Sequence, residues 1–229
     1  MDLESAKSTS ANENESLFEN NKASVVNILG TYAYEGRTVM KSAGSGFFLK
    51  DSSSADNNAC EIVSDNHVVT PDSTLTLSSL DITFDDGSHH SGRISKIDQA
   101  NDLAYIQITD LKNSDGACKL LAFAEHAPLA GEPLIRINRS LSGAEFTEGN
   151  FAEMRSREGM GLPDLENENK QRDLMVLKMH HSLGHQFSGS PYLNQEGKVV
   201  GIHEAGIENE QSIATPISTL EGQPGRVGK

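Results

Sequence analysis

His185-Gln186-Phe187-Ser188-Gly189-Ser190-Pro191-Tyr192-Leu193-Asn194-Gln195-Glu196-Gly197-Lys198-Val199-Val200-Gly201-Ile202-His203 reads as a small-residue turn, a short apolar strand, a second turn and a longer apolar strand. Ser188 lies in the first turn. A serine becomes a nucleophile only when a base takes its proton and donors hold the developing oxyanion. Small neighbours suit that task, because the backbone must come close to the reacting carbonyl. Ser188-Gly189-Ser190-Pro191 also suits an ordinary loop between strands. The reading therefore depends on whether the rest of the chain supplies a base and an orienting acid.

Outward from this stretch the pattern is short strands separated by turn residues. Ser24–Leu29, Met40–Leu49, Glu61–Ser64, Ile82–Phe84, Gly92–Ile97 and Leu103–Ile108 are expected strands, with Asp85-Asp86-Gly87 as a hairpin turn. Asp110–Gly116 is polar and turn-rich and is the linker candidate. Beyond it, Lys119–Phe123, Pro133–Ile137, Leu174–Met179, Val199–His203 and Ser212–Thr215 read as strands, and Glu145–Met154 as a hairpin broken at Gly149. Arg155–Asp173 is a long charged loop, a length usually reserved for function or mobility. Residues 1–15 are polar and expected to be disordered, Glu15–Asn21 to form a short helix, and 216–220 to start a terminal one. The class is all-β.

A nucleophilic serine needs a histidine whose other ring nitrogen is held by an acid. His67 follows the β-branched strand that ends at Ser64. Asp102 stands at the mouth of the apolar strand Leu103–Ile108, where burial beside an imidazole suits an orienting carboxylate. The order His67, Asp102, Ser188 puts base and acid in the first half and the nucleophile in the second, so the two halves would meet at a cleft.

These blocks resemble the signatures of chymotrypsin-fold serine proteases: Asp65-Asn66-His67-Val68-Val69, Asp98 with Asp102-Leu103-Ala104, and Ser188-Gly189-Ser190-Pro191. Gly44-Ser45-Gly46-Phe47-Phe48 and Asp85-Asp86-Gly87 are similar to the bacterial Htr proteases. Gly201-Ile202-His203 is similar to the staphylococcal glutamyl endopeptidases. The likeness runs from about 23 to 220. It implies two packed six-stranded antiparallel β-barrels with short terminal helices, the first over 16–112, the second over 113–221, and a flexible tail over 222–229. It implies a serine endopeptidase acting through an acyl-enzyme, with His67 as general base, Asp102 as orienting acid and Ser188 as nucleophile. The Gln186 and Ser188 N–H groups would form the oxyanion hole, and Ser182, Leu183 and His203 would line the pocket for the residue before the scissile bond. An imidazole at 203 would read an acidic side chain, whereas Leu183 would favour an apolar one. Gln186 and Phe187 replace the family's usual glycine and Asn or Asp. They keep a second reading open, a catalytically silent relative that binds peptides. No PDZ module is expected after Lys229, so the Htr proteases' regulation is not carried over.

With 229 residues the chain can hold one large all-β domain or two small barrels. Its net charge of -14 argues against nucleic acid and anionic membrane as partners, and no apolar run approaches the roughly 20 residues of a membrane span. A polypeptide substrate is the expected partner. The polar start carries no signal core, so the expectation is a cytosolic chain or an exported one, secreted or periplasmic, whose signal was removed. Cys60 and Cys118 allow one disulfide or two buried thiols, and so low a count leans towards unpaired thiols. His180, His181 and His185 lack a helical context because of Gly184, so neither a metal nor another cofactor is expected.

Overall fold

A computed structural model describes residues 3–49, 60–70, 74–111, 118–160, 162, 169–180, 187–207 and 210–221. Six strands close a first barrel: β1 (Val25–Tyr34), β2 (Arg37–Phe48), β3 (Glu61–Asp65), β4 (Thr76–Thr83), β5 (His89–Asp98) and β6 (Leu103–Ile108). Its strand order is β1-β2-β3-β6-β5-β4. Six more close a second: β7 (Pro133–Ser140), β8 (Gly143–Ser156), β9 (Asp173–Met179), β10 (Pro191–Leu193), β11 (Val199–Ile207) and β12 (Gln211–Pro216), in the order β10-β11-β12-β9-β8-β7. Every named pair is antiparallel, and closure leaves no free sheet edge to guard. Helices are few: α1 (Leu3–Asn21), the single turn α2 (Asn66–Val69) and the terminal α3 (Ser218–Glu221).

Each barrel is filled by the inward members of its alternating strands. Val26, Ile28, Phe48, Ile62, Ile82 and Ile106 fill the first. Leu134, Phe151, Met175, Leu177 and Tyr192 fill the second. A third apolar cluster joins residues of both barrels, among them Val25, Phe47, Val63, Leu103, Ile135, Ile137, Leu193 and Ile202. Arg139 of β7 stitches the same seam. It is 4 % exposed and donates to the carbonyls of Val25 (2.6 Å) and Lys22 (3.1 Å), and it pairs with Asp85 in the β4–β5 turn. The helix α1 covers one end, where Phe18 enters the shared core and stacks 5.0 Å from Phe146.

Four expectations change. Glu145–Met154 is part of one continuous strand rather than a broken hairpin. Gly149 sits mid-strand because a Cβ there would stand 2.6 Å from the Lys178 carbonyl oxygen and from the Met179 sulfur. Lys119–Phe123 makes only isolated bridges, Leu121 to Leu49 and Phe123 to Val199, because it crosses between barrels rather than along a sheet. The short helix expected over 15–21 runs from Leu3 to Asn21. The cysteines are not free: Cys60 and Cys118 form a disulfide with a Cα separation of 5.8 Å. Cys60 immediately precedes β3 and Cys118 follows the end of β6, and the β3–β6 ladder brings them together. Most of the linker, 112–117, and the tail 222–229 lie outside the described residues.

The disulfide bridges positions 58 apart. Constraining an unfolded loop of that size should raise stability by about 2–4 kcal/mol. Urea denaturation of Cys60→Ser/Cys118→Ser is expected to show a loss of that order, and reduction of the wild type a similar one.

Candidate active site

The first barrel builds half of the site through one ladder. Asp65 pairs with Leu103 at the end of the β3–β6 register. The ladder runs one step past the strand, because the Asn66 N–H donates to the Asp102 carbonyl at 2.8 Å. The chain then turns into α2, which carries His67. On the other side Asp98 caps a 3₁₀ turn over Gln99–Asn101, and Asp102 closes it in a left-handed conformation, φ 55°. Asp102 is 2 % exposed, yet both carboxylate oxygens are engaged. Oδ2 accepts from His67 Nδ1 at 2.6 Å, and Oδ1 accepts from the His67 backbone N–H at 2.9 Å. This fixes the ring tautomer with Nε2 pointing away from Asp102.

The second barrel delivers Ser188 in a tight turn. The Ser190 N–H donates to the Phe187 carbonyl at 3.1 Å, with Gly189 at φ +84° in the position that favours glycine. A Cβ on Gly189 would collide with the Ser45 carbonyl and the Ser64 hydroxyl. The turn is laid against β2 by the Ser45 N–H, which donates to the Ser188 carbonyl at 2.9 Å. The Ser188 hydroxyl donates to the Glu204 backbone carbonyl at 3.1 Å. At rest it is therefore turned to β11 and makes no hydrogen bond to His67. Phe187 stacks on the buried Arg136 guanidinium at 4.5 Å. Gln186, Ser182 and Leu183 lie outside the described residues.

His203 is 2 % exposed. Its Nδ1 shares a 2.9 Å hydrogen bond with the Tyr192 hydroxyl, which in turn meets Ser212 at 2.7 Å. Burial, then the charges of Arg136 and His67, hold its pKa well below the ordinary imidazole value, so it is neutral.

Three residues were not singled out by the sequence reading. Asp65, quoted only as part of the histidine block, is fully buried. Its Oδ2 accepts from the Gly189 N–H at 2.9 Å and lies 4.0 Å from His67 Nε2. Arg157 and Arg172 bracket the long charged loop and clamp Glu204, at 2.9 and 2.8 Å. Strand alternation predicts that Glu204 faces away from the side of His203, but both are buried. The β11–β12 register shifts between His203 and Ala205, and Glu204 is the extra residue of that bulge. The loop ends are thereby pinned, and the Asn169 N–H reaches the Ala100 carbonyl at 3.0 Å, just before Asp102.

Burial pulls the His67 pKa down. The hydrogen bond to Asp102, and then the charges of Asp65, Asp102 and Glu204, outweigh it and raise it to about 9.

Comparison with known proteins agrees with this architecture. The profile of the trypsin-like peptidase domain matches residues 44–202, so the chain belongs to that family of serine proteases. Relatives include the mitochondrial serine protease HTRA2 of Drosophila ananassae (24% identical over 191 residues, 82% of this chain and 40% of that protein). The serine protease Do-like HtrA of Bacillus subtilis is 27% identical over 172 residues, 73% of this chain and 34% of that protein. Human serine protease HTRA3 is 26% identical over 185 residues, 79% of this chain and 37% of that protein. The chain thus spans 34–40% of the length of these relatives, which come from animals as well as a bacterium. The Rv3671c protease superposes in its inactive form with a TM-score of 0.70 at 18% identity, over 96% of both chains. Its active form from M. tuberculosis gives 0.70 at 19% identity, over 95% of this chain and 86% of that one.

Two outcomes follow from the buried charges. Replacing Glu204 by Ala removes a buried carboxylate that pairs with two buried guanidinium groups, which should cost about 3–5 kcal/mol in denaturant unfolding. A group whose folded pKa is raised stabilises fully below its unfolded value and loses that contribution as pH rises through the folded one. The stability difference between wild type and His67→Gln should therefore be largest below about pH 6.5 and should shrink as pH rises through about 9.

Proposed function

We propose that this protein is a serine endopeptidase that cleaves peptide bonds through a His67-Asp102-Ser188 triad and an acyl-enzyme. The observation that carries the reading is the 2.6 Å bond from His67 Nδ1 to a buried Asp102, beside a tight turn that presents Ser188. For the reaction the Ser188 hydroxyl leaves the Glu204 carbonyl and comes within hydrogen-bond reach of His67 Nε2. His67 Nε2 then takes the hydroxyl proton as Oγ bonds to the scissile carbonyl. The tetrahedral oxyanion is held by the Ser188 N–H and that of Gln186. His67 gives its proton to the leaving amine as the peptide C–N bond breaks, leaving an ester on Ser188. Water, deprotonated by the same imidazole, hydrolyses that ester.

A cleft of about 430 Å³ opens between the barrels, lined in part by Lys41–Ala43 of β2 and by Ser140–Ser142 at the end of β7. A neutral His203 with Nδ1 committed to Tyr192 favours an apolar residue before the scissile bond over an acidic one. The disulfide supports a secreted or periplasmic site of action, since such bonds persist where conditions are oxidising. No helix among the described residues is long and apolar enough to cross a membrane.

A fluorophosphonate probe tests the enzyme reading. Covalent labelling is expected at alkaline pH and should vanish in Ser188→Ala. Asp102→Asn, which leaves the imidazole in the wrong tautomer, should lower kcat on the order of 10⁴-fold. Peptide binding with no labelling up to about pH 10, a unit above the His67 value, would instead identify a peptide-binding module.

A further inference from the structure

We propose that Asp65 is a second carboxylate of the active site, a positioning residue that holds a proton on the Nε2 side of His67 and ties that pairing to the turn carrying Ser188. The geometry is direct. The imidazole stands between two buried carboxylates, Asp102 at Nδ1 (2.6 Å) and Asp65 towards Nε2 (4.0 Å). Asp65 Oδ2 also accepts the Gly189 N–H at 2.9 Å, so the same oxygen touches the residue after the nucleophile. Its other oxygen, Oδ1, is buried and has no hydrogen-bond partner among the described residues. An unpartnered carboxylate oxygen in a fully buried position is costly, and a nearby cation offsets that cost. Among the described residues His67 is the cation within reach, and the Ser188 hydroxyl meanwhile rests on the Glu204 carbonyl.

The charges facing Asp65 are His67 from α2, Asp102 from the turn before β6, and Glu204 from β11, the last offset by Arg157 and Arg172. Burial raises the Asp65 carboxyl, the charge of His67 lowers it, and the charges of Asp102 and Glu204 raise it again; the net direction is well upward. Asp65 and His67 are thus both displaced towards keeping a proton. A proton on Nε2 occupies the lone pair with which that nitrogen must accept from Ser188, and the Asp65 carboxylate at 4.0 Å favours it there. Losing it to solvent frees the nitrogen lone pair for the serine hydroxyl. Asp65 neither bonds to substrate nor takes the serine proton. Its effect is on the pH at which the base becomes available.

This inference rests on the serine-endopeptidase reading for its kinetic arm only. Asp65→Asn keeps an acceptor for the Gly189 N–H and removes the charge. An opposite charge at 4–6 Å raises an imidazole pKa by about 1–3 units. The acid limb of kcat/KM should therefore move by that amount to lower pH in Asp65→Asn. In parallel, the ¹⁵N resonance of His67 Nε2 should titrate lower by the same amount in Ser188→Ala/Asp65→Asn than in Ser188→Ala. Asp65→Ser provides the second variant should the first not fold. An unmoved limb in an active variant, or an unmoved His67 titration, overturns the proposal. Absence of all turnover and labelling in the wild type would sink the enzyme reading, while the titration would still decide the Asp65–His67 pairing.

Discussion

The structure depends on one place where the two barrels have no space between them. Gly189 passes so close to the Ser45 carbonyl and the Ser64 hydroxyl that no side chain fits, and the Ser45 N–H locks onto the Ser188 carbonyl at 2.9 Å. Ser45 is itself buried and bonded to the β7 backbone, its hydroxyl accepting from the Arg139 N–H at 3.0 Å. Residues of β2, β7 and the serine turn thus meet at a single seam. That contact, with the Gly189 N–H bonded to Asp65 Oδ2 at 2.9 Å, sets the spacing between Ser188 of one barrel and His67 of the other. The apolar cluster shared by both barrels supplies the adhesion, and the short polar contacts supply the register.

Around the seam the electrostatics are unusual for so acidic a chain. Three carboxylates, Asp65, Asp102 and Glu204, are buried within one neighbourhood. Two guanidinium groups, Arg157 and Arg172, clamp Glu204, and among the described residues the His67 imidazole is the positive partner of Asp102 and Asp65. Buried charges persist only when paired and hydrogen-bonded, so the site favours an imidazolium in the resting state. That is the common origin of the raised His67 pKa and of the serine hydroxyl's turn towards the Glu204 carbonyl. The long charged loop belongs to the same arrangement, because its two ends supply the arginines.

Most strands were legible because their signal is local. Leu103–Ile108 matches β6 residue for residue, and Pro133–Ile137, Leu174–Met179 and Ser212–Thr215 fall inside their strands or within a residue of them. The misread pieces are those whose conformation is set from a distance. Gly149 looks like a break, yet the neighbouring strand leaves room only for glycine there. Lys119–Phe123 has strand composition but runs between barrels. Two cysteines are too few to signal a bond until β3 and β6 pair. Likewise the bulge at Glu204 cannot be seen in an alternation count, since it exists to bury a carboxylate between arginines 32 and 47 residues away.

By itself, the sequence determined the all-β class, the turn that presents Ser188, and His67 and Asp102 as a base and acid worth pairing. Each of these follows from residue type and short spacing. Only the tertiary structure decided that Asp102 engages the imidazole with one oxygen and its backbone N–H with the other. It also decided that the serine hydroxyl rests on a carbonyl, and that Asp65 faces the far side of the ring. Those are properties of a buried volume shared by two barrels, where desolvation makes each charge depend on all the others. No local pattern in the chain encodes which carboxylate will face the far side of the ring there.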